Sequence, residues 1–347
     1  MKPTETILSP LSTSTNLEVT SCWNCGRKMN VSGFQPLEFV QCPACDSRVL
    51  VPDLVDQFRL EDFLGQGAMG RVYLAVDQNL NRKVAIKVLR KAFASTPSMW
   101  SQLEKEAKAA AGINHDRVVQ VYRLGKIKSR PYIVMELVDE PNLQEIMKKA
   151  PLTESAACRI ATDVMEGLEA ARVTGLVHGD VKPANILVDE KGRAKIADFG
   201  LARFVTREQK VECWGTPYYM APEKSRKKQE DFRSDLYSLG ATLFHATAGR
   251  APFEGKEGDE VIRLALKGPT PDLSQFRPEF SPRFCAGVYK MMRMNPDDRF
   301  QSYPEAISFM LGETFKKEKV VDTTVSRKSK WTTALKRFLV ESPADEL

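Results

Sequence analysis

The residues able to do chemistry in this chain form one ordered series. Gly65, Gly67 and Gly70 stand in Gly65-Gln66-Gly67-Ala68-Met69-Gly70-Arg71-Val72, and Lys87 closes Val84-Ala85-Ile86-Lys87. Asp180, Lys182 and Asn185 stand in His178-Gly179-Asp180-Val181-Lys182-Pro183-Ala184-Asn185; Asp198-Phe199-Gly200 and Ala221-Pro222-Glu223 follow. A loop that covers phosphates must bring backbone N–H groups close, and glycine removes the side chains that would obstruct the approach. A carboxylate such as Asp180 can align a hydroxyl nucleophile and accept its proton. The Asn185 amide oxygen and the Asp198 carboxylate are the hard donors that Mg²⁺ takes beside waters and phosphate oxygens. Each motif alone has a bland reading: a flexible hairpin, an exposed strand lysine, a turn-former or a helix cap. Their recurrence in one order makes the functional reading the stronger one.

The elements that must position these groups follow from periodicity. Val72, Leu74 and Val76 share one strand face, and Val84, Ile86 and Val88 share another, with a turn over 79–82 between them. Because strand side chains alternate, Ala85 and Lys87 point the same way, placing a small residue and a cation side by side. Arg71 to Val76 continues as a strand, which disfavours a dinucleotide-binding turn, since that motif leads into a helix. Helical patterns dominate from Leu152 onward; one covers Glu154 to Val173, and another begins near Ser234. Gly312 is a helix stop after Ala306 to Leu311. A β-rich piece followed by an α-rich piece implies an α+β, bilobal enzyme with its site in the cleft.

Together these motifs resemble the protein-kinase family over about residues 56–312, in the form of the eukaryotic-like serine/threonine kinases of bacteria. The resemblance implies a kinase fold with a β-rich N-lobe and an α-rich C-lobe. It implies ATP and Mg²⁺ as cofactors, with Asn185 and Asp198 on the metal, and transfer of the γ-phosphoryl group to a serine or threonine of a protein. It further implies that Glu106 pairs with Lys87, with Glu104 as the other choice, and that Lys182 and Thr216 flank Asp180. Leu64, Gly65, Gly67, Gly70, Val72, Ala85, Lys87, Met135, Glu136, Val138, Leu187 and Asp198 would line the nucleotide site. Backbone groups of Glu136 and Val138 would bond the purine, and Val72, Ala85 and Leu187 would sandwich it. Asp235 would anchor the catalytic loop, and Glu223 would pair with Arg299. Two other readings keep the fold: a pseudokinase scaffold that binds nucleotide or partners without transfer, and a kinase acting on a small molecule.

One position departs from the pattern. Most of the family has arginine between His178 and Asp180, where it meets a phosphate on the activation segment; here the residue is Gly179. Thr206 is the only hydroxyl residue between Leu201 and Gly215. Phosphorylation of that loop is therefore not expected to be the switch. The basic run Lys224, Arg226, Lys227 and Lys228 suggests acidic flanks around the target hydroxyl.

Upstream, Cys22, Cys25, Cys42 and Cys45 read C-x2-C-x16-C-x2-C, the spacing of a four-thiolate zinc site. The three histidines all lie in the kinase region, so sulfur is the expected ligand. Gly26 eases one knuckle turn. Residues 18–52 form a zinc-ribbon-like module too small to fold readily without its Zn²⁺. A redox dithiol pair and an iron–sulfur site are the alternatives.

The seven cysteines are odd in number and no signal peptide precedes them, so a disulfide framework is not expected. The N-terminus, 1–17, is rich in Ser, Thr and Pro and is expected to be disordered. No apolar run is long enough for a membrane span, and a cytoplasmic location is expected. The net charge is +6, and most of the excess lies between Glu313 and Val340, with eight basic residues against three acidic ones; in the tail, 313–347, Trp331, Leu335, Phe338 and Leu339 fall at helical spacing. The ribbon itself carries little net charge, and nucleic acid is not an expected partner. Oligomeric state is not legible.

Overall fold

The computed structural model describes residues 18–67, 69–199, 217–226, 230–255 and 257–313. Thr206, Thr216, Lys227, Lys228, the first seventeen residues and the tail beyond Glu313 lie outside the described residues.

Two short hairpins come first. Strands β1 (Val19–Ser21) and β2 (Lys28–Asn30) pair antiparallel, as do β3 (Phe39–Gln41) and β4 (Arg48–Leu50). Next is a six-stranded antiparallel sheet built from β5 (Asp53–Val55), β6 (Phe58–Gln66), β7 (Gly70–Asp77), β8 (Arg82–Leu89), β9 (Val121–Ile127) and β10 (Arg130–Met135), in the order β5-β6-β7-β8-β10-β9. The sheet therefore begins three residues before the boundary at 56 set by the motifs. Asp53–Val55 is too short for its alternation to be read, and pairing with Leu60, Arg59 and Phe58 is what makes it a strand.

One apolar cluster joins the hairpins to the sheet. Leu37 and Leu50 are buried in the same cluster as Val55, Phe58, Leu60 and Tyr73. Phe39 meets Phe63 edge-on at 6.2 Å, and Phe63 meets Tyr73 at 5.8 Å. The cysteine module is thus packed onto the sheet, and each supplies part of the other's core. A module this small gains from a neighbour that removes its apolar side chains from water.

Helix α1 (Pro97–Ala111) crosses the sheet; Thr96 caps it by accepting from the Met99 N–H, and Leu103, Ala107 and Ala110 form its buried stripe. The second lobe is built on helices α2 (Leu143–Met147), α3 (Glu154–Val173), α4 (Pro222–Ser225), α5 (Phe232–Ala248), α6 (Gly258–Lys267), α7 (Pro282–Met291) and α8 (Tyr303–Leu311). Helix α3 covers the span read from periodicity, and α8 ends at Gly312 in the left-handed conformation. Helix α5 is buried nearly all round, as expected of a central core helix. The small hairpin β11 (Ile186–Val188) and β12 (Ala194–Ile196) lies on α3 and leads into Ala197 and Asp198. Among the described residues, no helix is long and apolar enough to cross a membrane.

Candidate active site

The glycine loop is the hairpin between β6 and β7. Gly65 faces Val72, and Gly67 and Gly70 exchange backbone hydrogen bonds across the turn. The three glycines answer different needs. Among the described residues, a Cβ on Gly65 or Gly67 would meet nothing within 4 Å, whereas one on Gly70 would lie 2.1 Å from the Val88 carbonyl. Gly70 is thus required by the neighbouring strand, and Gly65 and Gly67 keep the approach to the cleft clear.

Behind the loop, Val72 lies opposite Lys87 on the paired strands, and Ala85 lies opposite Met135. Ala85, Met135 and Val119 are buried together, with Val72, Leu137, Val138 and Leu187 packed against them. Strands from one lobe and a hairpin from the other thus make one apolar slot. Leu64 is half exposed at its rim. At its edge the Glu136 carboxylate binds Lys195 at 2.5 Å, while the Glu136 N–H donates to the Gln120 carbonyl. A bond from Glu136 to a purine would therefore use its carbonyl.

Lys87 is buried, and its ammonium lies 2.7 Å from Asp198 Oδ2. Burial pushes the Asp198 carboxyl up, but the Lys87 charge and hydrogen bond outweigh it. With His178 and Lys182 adding to the effect, the carboxyl is held below the usual range and ionised at neutral pH. Asp198 sits at φ +68°, a left-handed conformation uncommon for a residue with a side chain, and 26% of its side chain stays accessible from the cleft. Glu106 lies on α1, and Lys87 makes an ion pair with Asp198. Deeper in, Ala107, Ala110, Ile133, Met135 and Phe199 line a cavity of about 20 Å³, room for roughly one water.

The catalytic-loop groups converge from the other lobe. Lys182 Nζ lies 2.7 Å from Asp180 Oδ2, and Asn185 Nδ2 donates to the Asp180 backbone carbonyl at 2.9 Å and to Oδ2 at 3.2 Å. With its Nδ2 so engaged, Asn185 has Oδ1 to offer a metal. His178, fully buried, ties the loop to the Asp198 segment: Nε2 donates to the Ala197 carbonyl at 2.8 Å, and Nδ1 accepts from the Asp180 N–H at 3.1 Å. Its ring also meets Phe199 edge-on at 4.7 Å. Asp235 accepts from the His178 and Gly179 N–H groups at 2.8 and 2.7 Å, so it does anchor the loop backbone. Arg299 grips Glu223 with two bonds of 2.7 and 2.8 Å, also as expected.

A cation and two carboxylates, one carboxylate bonded to an amide, now face an apolar slot beneath an open glycine turn. Such a set can neutralise a polyphosphate, hold a divalent cation by oxygen and orient a hydroxyl. Comparison with known proteins gives the same answer: the sequence pattern of the protein kinase domain matches residues 58–308. The chain belongs to the protein kinase family. Serine/threonine-protein kinase PknB of Mycobacterium leprae is 36% identical over 263 residues, covering 73% of this chain and 42% of that protein. A probable serine/threonine-protein kinase of Streptomyces coelicolor, SCO3848, is 36% identical over 259 residues, covering 72% of this chain and 38% of its own. The chain therefore matches about two fifths of the length of these relatives. The crystal structure of the Mycobacterium tuberculosis PknI kinase domain superposes with a TM-score of 0.62 at 29% identity, covering 75% of this chain and 98% of that one.

Two polar contacts escaped sequence reading. Lys195–Glu136 joins the strand before Asp198 to the segment expected to grip the purine, a pairing that neither string announces, and Lys224 Nζ donates to the Gly179 carbonyl at 2.5 Å. The second removes Lys224 from the exposed basic run: its side chain is 13% exposed and turned inward.

The cysteine module is the other candidate site. The Cys22, Cys25, Cys42 and Cys45 sulfurs all lie within 4.8 Å of one another, with Cys22–Cys45 and Cys25–Cys42 at 3.6 Å. A tetrahedron with Zn–S bonds of about 2.3 Å has sulfur–sulfur edges of about 3.8 Å. The two knuckles repeat one pattern: Cys22 N–H bonds Arg27 and Gly26 N–H returns to Cys22, while Cys42 N–H bonds Ser47 and Asp46 N–H returns to Cys42. Gly26 and Asp46 both take positive φ. Hydrogen bonds to Ser47 hold the Cys45 thiol down at about 6. A backbone bond at Arg27 favours the Cys25 thiolate, but Cys45 and burial outweigh it and push that thiol up to about 12. Four sulfurs so close cannot all ionise without a cation among them.

Proposed function

We propose that this chain is an ATP- and Mg²⁺-dependent serine/threonine protein kinase that transfers the γ-phosphoryl group to a protein hydroxyl. The observation that carries the reading is the meeting of Lys87 with Asp198 across the cleft from the Asp180–Lys182–Asn185 cluster. Lys87 orients the α- and β-phosphates, and Glu106 steadies Lys87 from α1. The slot of Val72, Ala85, Met135, Val138 and Leu187 holds the purine, which bonds the backbone of Glu136 and Val138. Asn185 Oδ1 and Asp198 would hold Mg²⁺, which when bound neutralises phosphate charge. Asp180 aligns the acceptor hydroxyl and takes its proton, while Lys182 and Thr216, the latter outside the described residues, would flank Asp180 and help seat that hydroxyl. The relatives named serine/threonine-protein kinases support this acceptor class. Lys87, Glu106, Asp180, Asn185 and Asp198 are all present, which supports transfer over a nucleotide-binding scaffold. ATP and reduced thiols both suit a cytoplasmic setting.

Cys22, Cys25, Cys42 and Cys45 would hold a structural Zn²⁺, and the module serves to brace the N-lobe. The test of the kinase reading is transfer from γ-labelled ATP to a generic protein acceptor. Wild type labels serine or threonine and Asp180→Ala does not; equal labelling by both would refute the assignment of Asp180.

A further inference from the structure

Gly179 is held on both sides. Its N–H and that of His178 donate to the buried Asp235 carboxylate, and its carbonyl accepts from Lys224 Nζ at 2.5 Å. Among the described residues, no backbone N–H donates to that carbonyl. Gly179 takes φ +75°, and Asp180 is the next residue.

Lys224 is not placed as a solvated lysine would be. Its side chain is 13% exposed, and its second neighbour is Glu230, whose carboxylate lies 3.8 Å away. Taking an ammonium out of water is costly unless hydrogen bonds and charge replace hydration, and here both are supplied. The stem of Lys224 is also fixed. Its N–H bonds the Ala221 carbonyl, and the preceding residue, Glu223, is gripped by Arg299 and by the Ser234 hydroxyl. A cation on a rigid mount therefore reaches the peptide that carries the catalytic carboxylate, at the place where the arginine common in the family is missing.

We infer that Lys224 is a positioning residue for phosphoryl transfer, clamping the Gly179 carbonyl so that Asp180 is set for the acceptor hydroxyl without a phosphorylated loop residue. The clamp acts on the loop and not on the nucleotide. It follows that Lys224 governs kcat and leaves the KM for ATP alone. The inference rests on the kinase reading above.

Lys224→Met and Lys224→Arg, made in the full chain, test it by steady-state transfer and by the amide resonance of Gly179. Lys224→Met should lower kcat at least about tenfold, as displacement of a reacting group does, with the KM for ATP within about twofold. The Gly179 amide should shift in the same variant. Lys224→Arg, which keeps the charge and a donor, should restore kcat to within about threefold of wild type. If Lys224→Met fails to fold, Lys224→Gln takes its place with the same expected results. Near-wild-type kcat in the neutral variant, or a fall in kcat with no movement of Gly179, overturns the inference while the kinase reading stands. Absence of transfer by wild type overturns both.

Discussion

Lys87 and Asp198 meet at 2.7 Å although 111 residues separate them, one on a strand of the N-lobe and the other after the hairpin of the C-lobe. Each neutralises the other in a place where an unpaired charge would be costly. The same two groups are those that would take phosphate and metal from a magnesium nucleotide. Glu106, on the neighbouring helix, is then the carboxylate proposed to hold Lys87 while Asp198 serves the metal.

The Glu223–Arg299 pair should be a principal support of the C-lobe. Arg299 is 1% exposed, and removing one partner leaves a buried charge, at a cost of about 3–5 kcal/mol. Arg299→Met should lower the denaturant midpoint accordingly; an unchanged midpoint would show the pair to be dispensable. The pH dependence has a definite sign. Burial raises the Glu223 carboxyl, but Arg299 outweighs this and holds it below 4.5. Its contribution to stability is therefore complete above that unfolded value and is lost as pH falls through the lower, folded one. Unfolding curves of wild type and Glu223→Gln should converge at low pH.

The glycines of the loop should separate by phenotype. Gly70→Ala forces a methyl against the Val88 carbonyl and should destabilise the N-lobe by about 1–3 kcal/mol. Gly67→Ala meets no neighbour among the described residues, so its thermal midpoint should stay near that of wild type while ATP affinity falls. Equal melting temperatures for the two variants would contradict this division.

Much of the candidate site was legible because each of its motifs is a local string: the glycine turn, Lys87, Asp180 with Asn185, and Asp198. The Cys22 to Cys45 spacing was legible for the same reason. What escaped notice depends on the fold. No local signal says that Asp53–Val55 finds a strand partner, that Gly70 faces the Val88 carbonyl, or that Leu37 and Leu50 enter the core of the sheet. Lys224 is the clearest case. In a string of basic residues it reads as a charge offered to acidic flanks of the target, and only the tertiary approach of α4 to the loop carrying Asp180 turns it inward.

Metal removal should be felt in the ATP-binding lobe, because Leu37, Leu50 and Phe39 share a cluster with Phe58, Leu60 and Tyr73. Treatment with a zinc chelator, or Cys42→Ser, should release about one zinc per chain and lower the thermal midpoint by several degrees. Leu50→Ala should cost about 2–5 kcal/mol with zinc content unchanged. A ribbon whose loss leaves the midpoint unmoved would not be a brace.

Thr206 lies outside the described residues. A glycine offers no charge to a loop phosphate, so Thr206→Ala should keep kcat within about tenfold of wild type. A larger loss would restore loop phosphorylation as the switch.

Binding of ATP measured by calorimetry with and without Mg²⁺ tests the grip on nucleotide most directly. Wild type should bind in a Mg²⁺-dependent manner, and Asp198→Asn should lose at least about tenfold of that affinity, since a charged oxygen ligand of the metal is gone. Binding indifferent to Mg²⁺, or unchanged in Asp198→Asn, would contradict the account.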